Sequence, residues 1–310
     1  MRNRRICCWQ MLTIKIGCVV MTLMLMAACG QSYEEKVRMS KAERQRLARE
    51  DSMALKVAVL PTLDGMPLFV AQEKGWLDTL GVDIRLKGYK AQMDCDEQLK
   101  AAKVEGAITD VKRVEHMRQT GTRLDTLGHT NAYWLLIANR TARVKQVGQL
   151  SDKMVAMTRY SATDFLTEKA LEGVKLHSEV FRIQINDVTV RLLMLLNNEM
   201  DALWLTEPQA TTAKLYKHNV LKDSRKMVEE PLGVLAFRQA VLTDSTRRKQ
   251  LEVLVRGYNR ACDSLNVWGL RNYADVVKAY CFTDDKTVQK LPNLRYHHLS
   301  KTVLEKRASK

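Results

Sequence analysis

Short hydrophobic runs alternate with helical periodicities along this chain from about residue 55 onward. Leu55-Lys-Val-Ala-Val-Leu60 stops at Pro61 and reads as a strand entering a loop. Residues 66–77 have helical spacing, with Pro67 in the first turn and Gly75 near the end. Alternation predicts a strand at 82–86, helical spacing a helix at 96–103, and the apolar run at 106–109 a buried strand. Asp110 then opens a helix that runs to Gly121. A second cycle repeats the pattern, with strands at 133–137, 154–157, 180–185 and 202–205 and helices at 161–171, 188–197 and 209–217. One more strand at 232–237 precedes a helical region whose longest segment is 245–265. This alternation predicts an α/β fold with mainly parallel sheets.

The two cycles match at one place. Residues 97–110 and 190–207 each read as amphipathic helix, turn, four-residue apolar strand and an acid beyond the strand end. Ligand-contacting groups of parallel α/β sheets lie beyond the carboxyl ends of strands. Two such edges facing one another predict a cleft.

The net charge of +15 invites a nucleic-acid reading, and its distribution removes that reading. Arg2, Arg4, Arg5 and Lys15 belong to a positive start followed by an apolar stretch to Ala28, the pattern of an export signal. Residues 30–54 hold six basic and five acidic side chains and read as a charged, partly helical tether. Residues 295–310 hold five basic side chains and one acidic, a basic tail. What remains is a mildly basic domain, and no nucleic-acid partner is expected. Cys95, Cys262 and Cys281 show no metal-ligand spacing, and either one disulfide or buried thiols would suit them. The histidines are scattered, and neither a Walker loop nor a G-x-S-x-G elbow is present. No metal, no cofactor and no enzymatic activity are expected.

The end of the apolar stretch, Leu25-Met26-Ala27-Ala28-Cys29-Gly30, resembles the bacterial lipobox, which implies a signal peptide over 1–28 and lipid on Cys29 at the head of a tether over 29–54. Leu55 to Leu77, then Val82-Asp-Ile, Gly106-Ala-Ile-Thr-Asp110, Thr163-Asp-Phe-Leu and Asp201-Ala-Leu-Trp-Leu-Thr-Glu207-Pro208 stand in an order that resembles solute-binding proteins of the nitrate/sulfonate/bicarbonate and NMT1/THI5-like type. The resemblance implies a two-lobed type 2 periplasmic-binding fold. Lobe one would comprise 55–137 and 236–294, lobe two 138–235, with a ligand cleft between them. It also implies a monomeric lipoprotein anchored to a bacterial membrane, facing the periplasm or the cell exterior. Such a protein delivers a small-molecule solute to an ABC permease. An enzyme of menaquinone or thiamine biosynthesis on the same fold, or a surface lipoprotein that binds a protein partner, are the alternatives.

The candidate ligand residues follow from strand ends. Asp64 and Gly65 leave the first strand, Thr109 and Asp110 end the third, and Ser161 and Thr163 open the helix after the strand at 154–157. Ser161 with Asp164 also fits a capping box, and Asp187 a helix cap. Glu207 is the position weighted most, because Pro208 holds it extended beyond its strand. A carboxylate there would favour amino or ring N–H donors over a simple anion. Trp204 and Trp134 are candidates for stacking on a flat solute.

Overall fold

The structure, a computed structural model, describes residues 41–300. The expected signal peptide, Cys29 and the last ten residues lie outside the described residues. Lys41–Met53 forms α1, a polar helix in which Arg46 bridges Glu43 and Glu50 at 2.7 Å each. It separates as a unit from the domain that starts at Ala54.

The domain begins with β1 (Leu55–Val59), buried at every residue because it is central in a parallel array. Then follow α2 (Met66–Glu73), β2 (Ile84–Gly88), α3 (Gln92–Lys100), β3 (Gly106–Asp110), α4 (Val111–Gln119) and β4 (Leu124–His129). After a first crossing come β5 (Leu135–Ala138), β6 (Met154–Met157), α5 (Ala162–Leu171), β7 (Phe181–Gln184), α6 (Val188–Leu196), β8 (Ala202–Leu205), α7 (Gln209–Leu215) and β9 (Asn219–Asp223). The second crossing delivers β10 (Gly233–Arg238), α8 (Gln239–Thr243), α9 (Arg248–Trp268), α10 (Ala274–Cys281) and α11 (Asp285–Lys290).

Two five-stranded sheets result, ordered β2-β1-β3-β10-β4 and β7-β6-β8-β5-β9. In each, the first three strands are parallel and the fourth runs against its two neighbours. The reversed strand is in both cases the one the chain lays down directly after crossing. Apolar clusters cover both faces of each sheet, and α9 contributes Leu251, Leu254, Tyr258, Cys262 and Leu265 to the largest. This is the expected two-lobed α/β architecture.

The crossings fall earlier than the expected boundaries at 137/138 and 235/236. All four residues of β5 pair with β8, and Gly233 to Phe237 all pair with β3. A strand hydrogen-bonded along its whole length belongs to one sheet, so the linkers are the segments before Leu135 and before Gly233. The first linker touches the start of β10: the Thr130 amide donates to the Gly233 carbonyl at 2.9 Å, and a Cβ at Gly233 would overlap Thr130 and Ala132. The strands β4 and β9 were not foreseen. Both are sheet edges, and Leu124-Asp-Thr-Leu-Gly-His and Asn219-Val-Leu-Lys-Asp expose enough polar residues to hide the strand pattern. Cys95, Cys262 and Cys281 are free and buried, and burial pushes the Cys95 and Cys262 thiols up to about 12.

Residues 295–300, expected to begin a basic tail, are fixed on lobe one. Tyr296 and Leu299 are buried in its core. Asn259 and Asn266, two turns apart on α9, each exchange a pair of hydrogen bonds with the backbone of Leu299 and Tyr296, between 2.7 and 3.1 Å. The Tyr296 hydroxyl also donates to the Leu63 carbonyl at 3.0 Å. Tyr296→Ala is therefore expected to cost about 3–5 kcal/mol in urea denaturation. Arg295→Ala, at an exposed neighbour, should stay within about 0.5 kcal/mol of the parent.

Candidate functional site

The carboxyl ends of the parallel strands in the two sheets face one another across a cavity of about 50 Å³. That is room for about three to five water molecules. Lobe one lines it with Thr62 and Asp64 after β1, Gln92 at the start of α3, and Thr109 and Asp110 at the end of β3. Lobe two contributes Thr158, Ser161 and Thr163 after β6, Asn186 after β7, and Arg191 on α6. Trp134 enters from the first linker.

Asp64 is buried and accepts the Thr62 hydroxyl at 2.6 Å. Burial pushes its carboxyl upward, against the pull of the Thr62 and Thr130 hydroxyls and nearby amides. It does not cap α2, whose N-cap is Gly65. Asp110 caps α4, accepting the Arg113 amide at 2.9 Å. The amides of Ala162, from the opposite lobe, and Lys112 also favour its charged form, yet burial dominates and pushes it up to about 7. The Thr109 hydroxyl accepts from the Gln92 side-chain amide at 3.0 Å.

Across the cavity, Ser161 caps α5, accepting the Thr163 amide at 3.1 Å and donating to the Thr158 carbonyl at 2.7 Å. Thr163 in turn accepts the Thr158 amide at 2.9 Å. The expected capping box is displaced by one residue, since Asp164 accepts from the Tyr160 amide at 3.0 Å. Asp187 caps α6 as expected, through the Thr189 and Val190 amides.

Arg191 is the group that sequence reasoning missed. It is 3% exposed. Its guanidinium donates to the Ile185 carbonyl at 2.6 Å, to the Trp204 carbonyl at 3.1 Å and to the Thr158 hydroxyl. Among the described residues no carboxylate lies within ion-pair distance of it. Burial pulls its pKa down to about 10, so it stays cationic at neutral pH. Three of its five N–H donors are accounted for, and the guanidinium borders the cavity. The available signal was a lone charge in an otherwise uncharged helix, Val188-Thr-Val-Arg-Leu-Leu-Met-Leu-Leu.

Three expected ligand residues lie outside the lining. Gly65 is buried under the Phe69 ring. Trp204 is fully buried in central β8, its indole donating to Thr167 at 2.9 Å. Glu207 is 1% exposed and turned into its own surroundings. One carboxylate oxygen accepts the Tyr133 hydroxyl at 2.9 Å and pairs with Lys214 at 3.2 Å, and the other accepts the Thr211 amide at 2.9 Å. With those donors satisfied, it holds α7 and the first linker together. Among the described residues no group of three or more His, Cys, Asp or Glu side chains is placed to hold a metal ion. None of their helices is long and apolar enough to cross a membrane.

Two lobes, two linkers and a polar cavity at facing strand ends define a type 2 periplasmic-binding fold. The NMT1/THI5-like family model matches residues 63–264, more than half of the chain, and the chain belongs to that family. Solved structures share the fold at low identity. The ligand-binding component of an ABC-type import system from Staphylococcus aureus, solved with zinc bound, aligns with a TM-score of 0.65 at 15% identity, covering 83% of this chain and 90% of that one. The periplasmic nitrate-binding protein of Synechocystis PCC 6803 aligns with a TM-score of 0.65 at 13% identity, covering 76% and 68%. The alkanesulfonate-binding protein of Xanthomonas axonopodis pv. citri, bound to MOPS, gives 0.65 at 15%, covering 83% and 90%. The comparison with curated proteins found no match.

Glu207→Ala should lower stability by about 1–3 kcal/mol, because buried donors lose their acceptor. Urea denaturation would measure this, and solute affinity should not change.

Proposed function

We propose that this protein is the solute-binding component of an ABC importer and captures a small anionic solute between its two lobes without covalent chemistry. Arg191 carries the reading: a buried guanidinium with no carboxylate within ion-pair distance, only the more distant charge of Asp187 acting on it, borders the cavity. A buried charge so weakly compensated is costly, and an anionic solute offsets that cost. Thr158, Ser161, Thr163, Thr109 and the Gln92 amide surround the same space with hydroxyl and amide groups. Asp64 and Asp110 are compatible with an anion because burial shifts both toward their neutral, donating form. The structural neighbours named for nitrate and alkanesulfonate binding agree with this class. A pyrimidine-like solute lost its main support when Glu207 fell outside the cavity. Trp134, at the cavity wall, suits an organic group attached to the anion.

Thermal shift of the purified protein with nitrate, bicarbonate, alkanesulfonates, pyrimidines and zinc tests the reading. A solute at a hundred times its Kd adds about 2.7 kcal/mol of stability. An anion should give the largest shift, and Arg191→Gln should weaken its binding by roughly ten- to a hundredfold. A neutral heterocycle or zinc as the best hit, or an unaffected Arg191→Gln variant, would refute the anionic assignment.

The reading includes export and a lipid on Cys29, supported by the residues Leu25 to Gly30. Labelled palmitate fed to expressing bacterial cells should enter the protein, and Cys29→Ser should abolish incorporation.

A further inference from the structure

We infer that closing of the two lobes takes up a proton at Asp110, so that the protein closes, and holds its solute, more tightly as the medium becomes more acidic. The inference rests on the two-lobe closure proposed above and adds a coupling to it.

Asp110 stands where the lobes meet. It ends β3 and caps α4 in lobe one, lines the same cavity as Ser161 and Thr163 of lobe two, and the Ala162 amide at the start of α5 favours its charged form. One carboxyl therefore caps one helix N-terminus and faces another that belongs to the opposite lobe. Neighbouring contacts make this a latch rather than a chance approach. Arg113 donates across the gap to the Arg159 carbonyl at 2.8 Å, the His116 ring stacks on Tyr160 with centroids 4.1 Å apart, and the Lys112 ammonium lies 4.8 Å from the Phe165 ring centroid. Parting the lobes would remove Ala162 from Asp110 and admit water to it.

The sign follows from burial. In the closed arrangement burial pushes Asp110 up to about 7. Exposed to solvent, a carboxyl returns toward about 4. The closed form therefore binds more protons between these values. Its penalty for holding an ionised Asp110 is full above pH 7 and fades as the pH falls below it. On these two values the closed-to-open ratio rises about tenfold from pH 8 to pH 6.

The other ionisable groups around the latch leave that sign intact. Arg113, with its guanidinium on Asp96 of α3, and Arg191 of α6 remain cationic throughout the range, each pulled down only to about 10 by burial. Lys112 pairs with Glu115 on its own helix. Asp164 of α5 is held by the Tyr160 amide and faces Arg182. From the neighbouring strand, β10 brings Gly233 opposite Asp110. His116 is pulled below its ordinary value, mainly by burial, so its protonation would open the latch, and at lower pH. Asp64 is bonded by Thr62, Thr130 and its own loop, which stay with it when the lobes part.

Small-angle X-ray scattering of the solute-free protein between pH 8 and pH 6 tests the coupling without reference to any solute. The radius of gyration should fall with pH. Asp110→Asn, which keeps a good helix cap but cannot titrate, should lose most of that response. His116→Gln should retain it. As a measurement on the unmodified protein, amide exchange over residues 158–166, corrected for the intrinsic effect of pH, should slow from pH 8 to pH 6, while α9 does not change. A wild-type radius and exchange rate that ignore pH would overturn the coupling, as would an Asp110→Asn variant with the full wild-type response. Failure to find an anionic solute would leave these readouts unaffected, so the two proposals fail separately.

Discussion

In each lobe the strand that runs against its neighbours is the one the chain lays down directly after crossing from the other lobe. β5 enters the second sheet antiparallel between β8 and β9, and β10 enters the first between β3 and β4. Neither sheet can be completed without the linker that precedes its reversed strand. The first linker is pressed against the start of β10 at Thr130 and Gly233, where no side chain fits at Gly233. This exchange fixes the relative direction of the sheets. The carboxyl ends of β1 and β3 are thereby set opposite those of β6 and β7, and the helix starts that follow them converge on one space.

A convergence of strand ends and helix starts is an electrostatic arrangement before it is a binding site. Free amides at α4 and α5 favour negative charge, and Asp110 answers both. The same closeness removes water, which disfavours the charge that the amides invite. Burial wins at Asp110 and lowers Arg191 as well, though not far enough to discharge it. The closed cavity thus keeps a permanent cation while its acids move toward neutrality. That balance is the basis of the anionic solute proposed above.

Legibility from the sequence divided along a physical line. Where a feature depended on local spacing it could be read: the buried strands, Pro67 at a helix start, the caps at Asp110, Ser161 and Asp187, and the strand-end positions of Asp64, Thr109 and Thr163. Features set by distant partners were hidden. Glu207 satisfied the strand-end rule as well as Asp110 did, but Tyr133, far away in the sequence, and Lys214, across a turn, claim its carboxylate. Trp204 lies inside a central strand, where both faces are buried, and this alone argues for core over cleft. Arg191 was absorbed into the apolar run that it starts, although one charge in such a helix needs a destination. The tail misled for a related reason. Its charge set it apart from the domain as a basic tail, whereas Tyr296 and Leu299, spaced to meet two asparagines on α9, anchor its start.

The charge of the chain takes on a different role once the cavity is known. A basic surface draws anions by long-range attraction, which raises encounter rates and weakens as salt screens it. That attraction does not distinguish one anion from another. Arg191 lies behind Thr158 and the Ile185 and Trp204 carbonyls, desolvated and fixed, where screening is weak and geometry governs which group it accepts. Under the anionic solute proposed above, encounter and selection are separated in space: a mildly basic domain for the first, one ordered guanidinium for the second. Salt should act on the first far more than on the second.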